Sequence, residues 1–429
     1  MNKLSTMTDN LYYFENFKSF SQAKLSLFES KFTLLIGPNG SGKSNLLEAI
    51  KLLSFLIDGG WLLDVTDMNK GGRLEIRGGL PGCTRYGQTA FTLGFSAHTH
   101  IDAKLHYFDY RLTIETQHSP RIINESLYID NSLFFEVNPE QSHSSQPLVC
   151  DNHFASSGKK PSLHSSTTKS FLSQYHPKNA AGNQIINRII NHFQNLWVFE
   201  PNPKLIRHYE HIGNAILTQN GSNLSAVLYA LSQGNQESQE SLQRLLEWIA
   251  QLPNEPYQRF EFVTVPQLND VILGLVENHT DQFISAGLLS DGTLRCLTIL
   301  TALETATPGS SIIVEEIDNG LHPSRVGIMV KAIVDCCQRH DLKVLVTTHN
   351  HATLNALSLE ELDGVILCHQ NPQNHSTNLN AWPDLPYQQD MLERSTLGDL
   401  VTHKLIDDYL NPDFEEKRKQ KALAWLADF

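Results

Sequence analysis

The sequence predicts an α/β fold, in which an antiparallel β-subdomain and a helical insertion interrupt an α/β core. Three observations predict it. A short apolar run at 32–36 precedes a glycine-rich turn and a helical apolar pattern at 45–53. Alternating segments rich in Phe, Tyr, Ile and Thr fill 90–137, as in antiparallel strands. From residue 285 onward, helical patterns alternate with short apolar runs, which is typical of α/β proteins.

The predicted organisation has five segments. The first, 1–90, is the N-terminal half of the core and begins with two short strands around a turn at 11–27. The others are an antiparallel β-subdomain at 91–138, a polar loop or mobile insertion at 139–182, a helical subdomain at 183–259, and the C-terminal half of the core at 260–429. The last segment contains a strand pair at 260–265 and 271–277, and an amphipathic end helix at 414–429.

Composition excludes several classes of protein. The chain of 429 residues has 33 basic and 46 acidic side chains and a net charge of −13, so any nucleic-acid binding must use a local basic patch. Six cysteines without a CxxC pair exclude a disulfide scaffold and the common zinc modules, and they favour a reducing cytosol. Because no apolar run approaches the roughly 18 residues of a membrane span, we expect a cytoplasmic protein without a membrane segment.

Residues 37–44, Gly-Pro-Asn-Gly-Ser-Gly-Lys-Ser, match the phosphate-binding pattern G-x-x-x-x-G-K-[ST] at every fixed position, between a strand and a helix. In such a loop the backbone N–H groups and the helix N-terminus bind phosphate oxygens. Lys43 is predicted to reach the β- and γ-phosphates, and the Ser44 hydroxyl to ligate Mg²⁺. The absence of an N-K-x-D motif favours ATP over GTP. The residues predicted to bind nucleotide here are Gly37, Pro38, Asn39, Gly40, Ser41, Gly42, Lys43, Ser44 and Asn45.

A second apolar strand pattern, 311–316, ends in two adjacent carboxylates. We expect Glu315 to hold the Mg²⁺ shell and Glu316 to act as the general base that polarises the attacking water. Asp is commoner at the first position, but the longer Glu side chain can still reach the metal through a water. Taken alone, the pattern also fits an ordinary strand that enters an acidic turn.

Two further groups are candidates for contact with the γ-phosphate. His349 follows the apolar run 344–348 and could sense loss of the phosphate, although a lone His is often structural. Ser290 and Gly292 open a helical run at 297–303, which predicts a second anion-binding helix end or a simple helix cap. One chain cannot aim two such helix ends at one phosphate, whereas two chains arranged head to tail can.

The order of these motifs resembles that of ABC-type ATPase heads, as in RecF, SMC and OLD-family proteins, and most nearly the OLD/RecF-like AAA ATPases of bacteria. The residues that carry the resemblance are 36–49, 288–295, 314–323 and 346–350. It implies that Lys43 and Ser44 bind Mg-ATP, while Ser290 and Gly292 contact the γ-phosphate held by a second protomer. It further implies Glu316 as the base, His349 as the switch, and Asp318 and Asn319 in the loop between the two sites. For the glutamine that often follows the first helix, Gln88 is a candidate to which no role is assigned.

The resemblance also implies a biological role. Many relatives carry a C-terminal Toprim nuclease, but only about eighty residues follow His349 here, and they contain no Asp-x-Asp pair. The expectation is therefore a stand-alone Mg²⁺-dependent ATPase that forms a homodimer or a higher oligomer and acts as a nucleotide-controlled switch for a separate effector, such as a nuclease, in anti-phage defence. Two alternatives stay open: a RecF- or SMC-like DNA-binding ATPase of repair or chromosome maintenance, and an ATP-binding scaffold with little turnover.

Overall fold

The computed structural model describes residues 7–101, 103–137, 166–175, 180–252, 257–371, 373–385, 388–402 and 419–420. Most of the predicted polar insertion at 139–182, and all of the predicted end helix except 419–420, lie outside these residues. Among the described residues, no helix combines the length and the apolar character that crossing a membrane requires.

The strands are numbered in chain order. They are β1 Thr8–Phe17, β2 Phe20–Ser26, β3 Phe32–Ile36, β4 Val65–Thr66, β5 Leu74–Glu75, β6 Ala90–Ile101, β7 Lys104–Glu115, β8 Arg121–Ile129, β9 Ser132–Val137, β10 Leu196–Phe199, β11 Glu210–His211, β12 Tyr257–Val265, β13 Asp270–Glu277, β14 Phe283–Ser285, β15 Ser311–Val314, β16 Lys343–Thr348, β17 Val365–Gln370 and β18 Thr377–Ala381.

The helices are numbered in the same way. They are α1 Lys43–Ile57, α2 Ala180–Gln194, α3 Pro203–Ile206, α4 Leu224–Gln233, α5 Gln236–Ala250, α6 Asp291–Thr305, α7 Pro323–Arg339, α8 His351–Asn355, α9 Leu359–Leu362, α10 Gln388–Arg394 and α11 Leu397–Thr402. The subdomain predicted to be helical, 183–259, contains α4 and α5 as two separate helices. The helix is interrupted between them because Gly234 follows the last residue of α4, and the Asn235 side chain caps α5 by accepting a hydrogen bond from Ser238 N–H.

The central sheet has the strand order β10–β15–β16–β3–β17–β18, and its first five strands are parallel. Both faces are covered, and these strands are mostly apolar and buried. In β3, Leu35 packs into the core that contains α1, whereas Leu34 and Ile36 pack into the core that contains α6 and α7. Because the strands run in parallel, the residues that follow β10, β15, β16 and β3 lie along one edge of the sheet.

A second, antiparallel sheet has the order β2–β1–β6–β7–β8–β9. The four strands β6 to β9 fall in the predicted β-subdomain, and β1 and β2 add the hairpin predicted at 11–27 to the same sheet. Aromatic side chains fill the space between this sheet, α1 and α2, with Phe95 against both Tyr12 and Phe193. The turn of the first hairpin, at Lys18 and Ser19, consequently reaches the start of α1.

A smaller sheet completes the fold. In it β13 pairs with β12, with β11 and with β14, all antiparallel. The strand pair predicted at 260–265 and 271–277 corresponds to β12 and β13. The loop after β14 leads directly into α6, so this sheet positions the segment that contains Ser290. The predicted α/β class, with its antiparallel β-subdomain and helical segments, is confirmed.

Candidate nucleotide-binding site

The loop between β3 and α1 has the tight backbone that its glycines predict. A Cβ on Gly37 would lie 2.1 Å from the carbonyl oxygen of Cys368 on β17. Gly42 precedes α1 with φ of 110°, and a Cβ there would lie 2.2 Å from Thr377 Oγ1. Ser41 is buried, and within the described part of the chain its Oγ has no hydrogen-bond partner. The loop is therefore a concave cradle with a polar atom still to be satisfied, as expected of a phosphate site.

Lys43, the first residue of α1, lies across this loop. Its Nζ donates to Gly37 O at 2.5 Å and to Pro38 O at 3.1 Å. Partial burial lowers the pKa of Lys43, and the negative charges of Glu316 and Asp318 oppose that shift. The ammonium group is therefore partly desolvated, and it donates to two neutral backbone carbonyls. It can exchange these acceptors for phosphate oxygens.

The first turn of α1 contacts the first hairpin and also Arg77, which the sequence did not indicate as part of the site. Asn45 Nδ2 donates to Ser19 Oγ at 2.7 Å, and Asn45 Oδ1 accepts from Arg77 Nη2 at 3.2 Å. Arg77 also pairs with Glu48 at 2.8 Å. Burial alone would raise the pKa of Glu48, but hydrogen bonds from Arg77 and Lys18 lower it. Arg77 is thus fixed next to the first turn of α1 through Asn45 and Glu48.

The two acids after β15 are held by different elements. Glu315 Oε1 lies 2.7 Å from Lys51 Nζ, so the predicted metal ligand forms an ion pair with α1. Glu316 has φ of 47°, which is unfavourable for a residue with a side chain. Its N–H donates to Thr347 Oγ1 at 2.9 Å, and its Oε2 accepts from Asn319 Nδ2 at 3.1 Å. These bonds hold the strained backbone, a condition that is common at functional sites.

His349 and Asp318 line the same cleft, which has a volume of about 440 Å³. Asp318 Oδ2 accepts from Thr348 Oγ1 at 2.9 Å, and its Oδ1 has no hydrogen-bond partner among the described residues. Burial raises the pKa of Asp318. His349, directly after β16, is exposed. The residues around the cleft are Asp318, Asn319, Gly320, Leu321, His349, Asn350 and His351.

The Ser-x-Gly segment, residues 290–292, lies at the N-terminus of α6 and packs against the 318–321 loop. Ser290 caps α6, because its Oγ accepts from Thr293 N–H at 3.0 Å. A Cβ on Gly292 would lie 2.9 Å from Gly320 O, so glycine permits close packing against the loop after Glu316. Ser290 is exposed, and the neighbouring Leu288 is 78 % exposed. The structure therefore brings Lys43, the acids and His349 to one sheet edge, and it places Ser290 and Gly292 beside the 318–321 loop.

Glu200 is a residue of the site that the sequence analysis missed. It directly follows β10, the neighbour of β15, inside the segment predicted to be helical. Partial desolvation and then the charge of Glu315 raise the pKa of Glu200, while Lys51 and Arg295 act in the opposite direction. The signal was present, since an apolar run that ends in an acid also describes 311–315. Gln88, by contrast, lies in an exposed turn in which its N–H donates to Arg85 O.

A family model described as "AAA domain, putative AbiEii toxin, Type IV TA system" matches residues 32–134 and 151–355. This match covers more than two thirds of the chain and includes the phosphate loop, the Ser-x-Gly segment, both acids and His349. The chain belongs to this family. It is therefore a P-loop ATPase domain of the AAA type, and nucleotide binding is the property that this membership implies.

Comparison with curated proteins found no match. Among solved structures, an SMC head bound to the C-terminal winged-helix domain of ScpA has a TM-score of 0.49 at 12 % identity, covering 86 % of this chain and 96 % of that one. An SMC head from Thermotoga maritima has a TM-score of 0.39 at 12 % identity, covering 86 % and 97 %. An Smc head with an extended coiled coil, bound to the C-terminal domain of ScpA from Pyrococcus furiosus, has a TM-score of 0.49 at 11 % identity, covering 90 % and 98 %.

The loop N–H groups, Lys43, Ser44 and Glu315 together fit a nucleoside triphosphate with one divalent cation. Within the described ranges, no group of three or more His, Cys, Asp or Glu side chains could hold a metal ion alone. Mg²⁺ commonly binds through one or two protein oxygens together with phosphate oxygens of the substrate. Ser44 Oγ and the Glu315 carboxylate are the protein oxygens that would serve here.

Proposed function

We propose that the chain is a Mg²⁺-dependent ATPase whose two active sites form between two copies arranged head to tail. The observation that carries the proposal is the shared position of Lys43 and Glu316. Lys43 follows β3 and Glu316 follows β15, and both strands pair in parallel with β16, so the phosphate-binding cation and the predicted base come to the same edge of the sheet from distant parts of the sequence. A phosphate cation beside a carboxylate at the end of a buried strand is the arrangement that ATP hydrolysis requires.

Each residue then has a defined task. When nucleotide binds, Lys43 Nζ exchanges its hydrogen bonds to the carbonyls of Gly37 and Pro38 for hydrogen bonds to β- and γ-phosphate oxygens. The N–H groups of the loop bind the same phosphates. Bound Mg²⁺ would neutralise charge on the β- and γ-phosphate oxygens. Ser44 and Glu315 would hold it, with Lys51 keeping Glu315 Oε1 and leaving the second carboxylate oxygen for the cation or its water. Glu316 accepts the proton of the attacking water.

The dimer follows from the position of the second anion-binding end. Ser290 and Gly292 are at the N-terminus of α6, where helix N–H groups favour an anion. The exposed Leu288 supplies apolar surface next to them. In a head-to-tail pair, this surface covers the phosphate cleft of the other copy, and His349 and the 318–321 loop lie between the two nucleotides.

The biological role that we propose is a nucleotide-controlled switch for a separately encoded effector in anti-phage defence. The family description names a toxin of a type IV TA system, which agrees with a chain that acts together with a second protein. A DNA-binding ATPase of repair or chromosome maintenance is the alternative. It predicts DNA-stimulated turnover that falls steeply with salt, which the net charge of −13 does not favour.

The test is the Glu316→Gln variant, which keeps the shape of the site and removes the base. We expect turnover to fall by about 10² or more. Because ATP then stays bound, light scattering should show a doubled mass with Mg-ATP and a single chain without it. Glu247→Gln, an exposed change on α5, is the matched control and should behave as wild type. Normal turnover by Glu316→Gln would exclude Glu316 as the base, and a single-chain mass with bound Mg-ATP would exclude the dimer.

A further inference from the structure

One arginine holds the loop that leads into α6. Arg207 directly follows α3, and its Nη2 donates to Asp291 Oδ1 at 2.5 Å. Its Nη1 lies close to three carbonyl oxygens of the preceding loop, those of Ala286 at 3.3 Å, Gly287 at 2.9 Å and Leu289 at 2.7 Å. The guanidinium group therefore contacts the chain on both sides of Ser290.

These carbonyl groups point toward one place, where their dipoles would repel each other without a cation. A guanidinium group can satisfy several acceptors at once, because its donors form a rigid planar fork. At its start, Ala286 is buried and its N–H donates to Leu273 O at 2.7 Å, and Leu289 is also buried, whereas Gly287 and Leu288 between them are exposed. Loss of Arg207 would let the carbonyls turn to water, and the entry of the chain into α6 would change with them.

Arg207 also removes an electrostatic obstacle. Asp291 lies between Ser290 and Gly292, at the helix end that should receive a phosphate oxygen. An unpaired carboxylate there would repel the phosphate, although helix N-termini otherwise favour anions. The Arg207–Asp291 ion pair neutralises that charge, so the helix end remains available to an anion.

Arg207 ends a short segment whose other end is Glu200. The segment is held at several points: Glu200 N–H donates to Gln219 O and Asn202 N–H to Asn220 O, both at 2.9 Å, and Ile206 is fully buried. At the start of the segment, Glu315 N–H donates to Phe199 O at 3.3 Å, directly before Glu200. A held segment of eight residues therefore connects the acids of the chain's own site with the loop that carries Ser290.

We propose that Arg207 is a positioning residue of the composite ATPase site, which presents Ser290 and Gly292 to the nucleotide bound by the partner copy. The proposal rests on the proposed function. The hydrogen bonds of Arg207 go to residues 286–291 and not to the phosphate loop, so its removal should damage the neighbouring site only.

The test begins with Arg207→Met, which keeps the length of the stem and removes the charge and the donors. We expect ATP binding by the single chain to be unchanged, ATP-driven association to be lost, and turnover to fall about 100-fold, because small misplacements of positioning groups cost that much. Arg207→Lys keeps the charge near Asp291 but cannot contact all the carbonyls, so its turnover should be intermediate.

The matched control is Arg244→Met. Arg244 pairs with Glu304 at the other end of α6, and its side chain is 29 % exposed, against 27 % for Arg207. This variant also loses an ion pair of α6, so its melting temperature should fall at least as far as that of Arg207→Met. Its turnover below that melting temperature should remain within twofold of wild type. An equal loss of turnover in both variants would mean that general loosening of α6 explains the effect, and would overturn the proposal.

Mixing experiments separate this proposal from the dimer on which it rests. Arg207→Met has an intact phosphate loop, and Lys43→Ala has an intact Arg207 and Ser290, so the mixture should form one working site per dimer. It should recover turnover to the extent that a Ser290→Arg and Lys43→Ala mixture does, up to half of wild type. Recovery with Ser290→Arg but not with Arg207→Met would overturn the role of Arg207. Absence of recovery in both mixtures would overturn the head-to-tail dimer instead, and wild-type turnover by Arg207→Met alone would overturn the positioning role.

Discussion

At the scale of residues, the site concentrates opposite charges around the ends of parallel strands. Glu200, Glu315 and Glu316 follow the neighbouring strands β10 and β15. Lys51 of α1 pairs with Glu315 at 2.7 Å, and Lys43 begins α1 at the same edge of the sheet. Partial burial and then the like charge of Glu315 raise the pKa of Glu200. A bound divalent cation would compensate the charge of the carboxylates, and a bound polyphosphate would compensate the charge of the cation and the lysines. Binding of each should therefore strengthen binding of the other.

The first prediction concerns Lys43→Ala. Without the ammonium group, the loop N–H groups alone must compensate the charge of the triphosphate, so we expect ATP binding to weaken beyond detection in a titration with a fluorescent ATP analogue. The melting temperature should change little, because Lys43 bonds only to two carbonyls of its own loop. Lys31→Ala removes an exposed lysine just before β3 and should bind as wild type. Wild-type affinity of Lys43→Ala would show that the nucleotide binds elsewhere.

Residues that act within one stretch of sequence were predictable, and those that act across the sheet were not. The phosphate loop is recognisable because its eight positions are contiguous and each has a geometric reason. The ion pair of Lys51 and Glu315 joins residues 264 positions apart in the sequence. Only the strand order of the central sheet brings these two residues together. Glu200 was missed for the same reason, because its importance depends on β10 lying next to β15.

At the scale of elements, one buried carboxylate connects the helices on the outer face of the core. Glu304 near the end of α6 accepts hydrogen bonds from Arg244 of α5 and Arg339 of α7, and it also contacts His340 and Cys336. Its side chain is fully buried. Burial alone would raise the pKa of Glu304, but the hydrogen bonds with His340, Arg339 and Arg244 hold it well below the ordinary 4.5. The ionised form therefore stabilises the packing of α5, α6 and α7.

The second prediction concerns Glu304→Gln. Removing one partner of a buried ion network leaves arginine charge uncompensated, so we expect the free energy of unfolding at pH 7 to fall by about 3 kcal/mol. The folded-state pKa lies below the unfolded value. The stabilisation is therefore complete above pH 4.5 and is lost as the pH falls through the folded-state pKa.

The measurement is urea unfolding of wild type and variant at several pH values, in which the two curves should approach one another in acid. Asp335→Asn breaks an exposed pair with Arg339 and should cost at most about 1 kcal/mol. A difference between wild type and Glu304→Gln that stays constant below pH 4.5 would contradict the assignment of an ionised Glu304.

Element types were predictable from periodicity, whereas their partners were not. The alternation in 90–137 indicated strands, and β6 to β9 are strands. That β1 joins β6 could not be inferred, because the pairing crosses the whole phosphate loop and α1. The strand β10 was hidden inside a segment read as helical, since four apolar residues fit either periodicity.

At the scale of the molecule, the central sheet separates two large hydrophobic cores, and the candidate site lies at its edge. No cluster of carboxylates suited to two metal ions exists in the described residues. The third prediction is therefore that the purified chain hydrolyses ATP but cuts neither DNA nor RNA. Plasmid and RNA should remain intact after incubation with ATP and Mg²⁺ or Mn²⁺. Cleavage that an active-site substitution abolishes would show a nuclease in this chain.

The most direct measurement of the central claim is ATP turnover per chain as a function of protein concentration, with the mass of the protein determined in the same samples. A site shared between two copies predicts that turnover per chain rises with concentration and follows the fraction of dimer. Turnover per chain should become constant once the dimer predominates. Constant turnover per chain at concentrations where the protein remains a single chain would contradict the shared site, since each copy would then hydrolyse ATP alone.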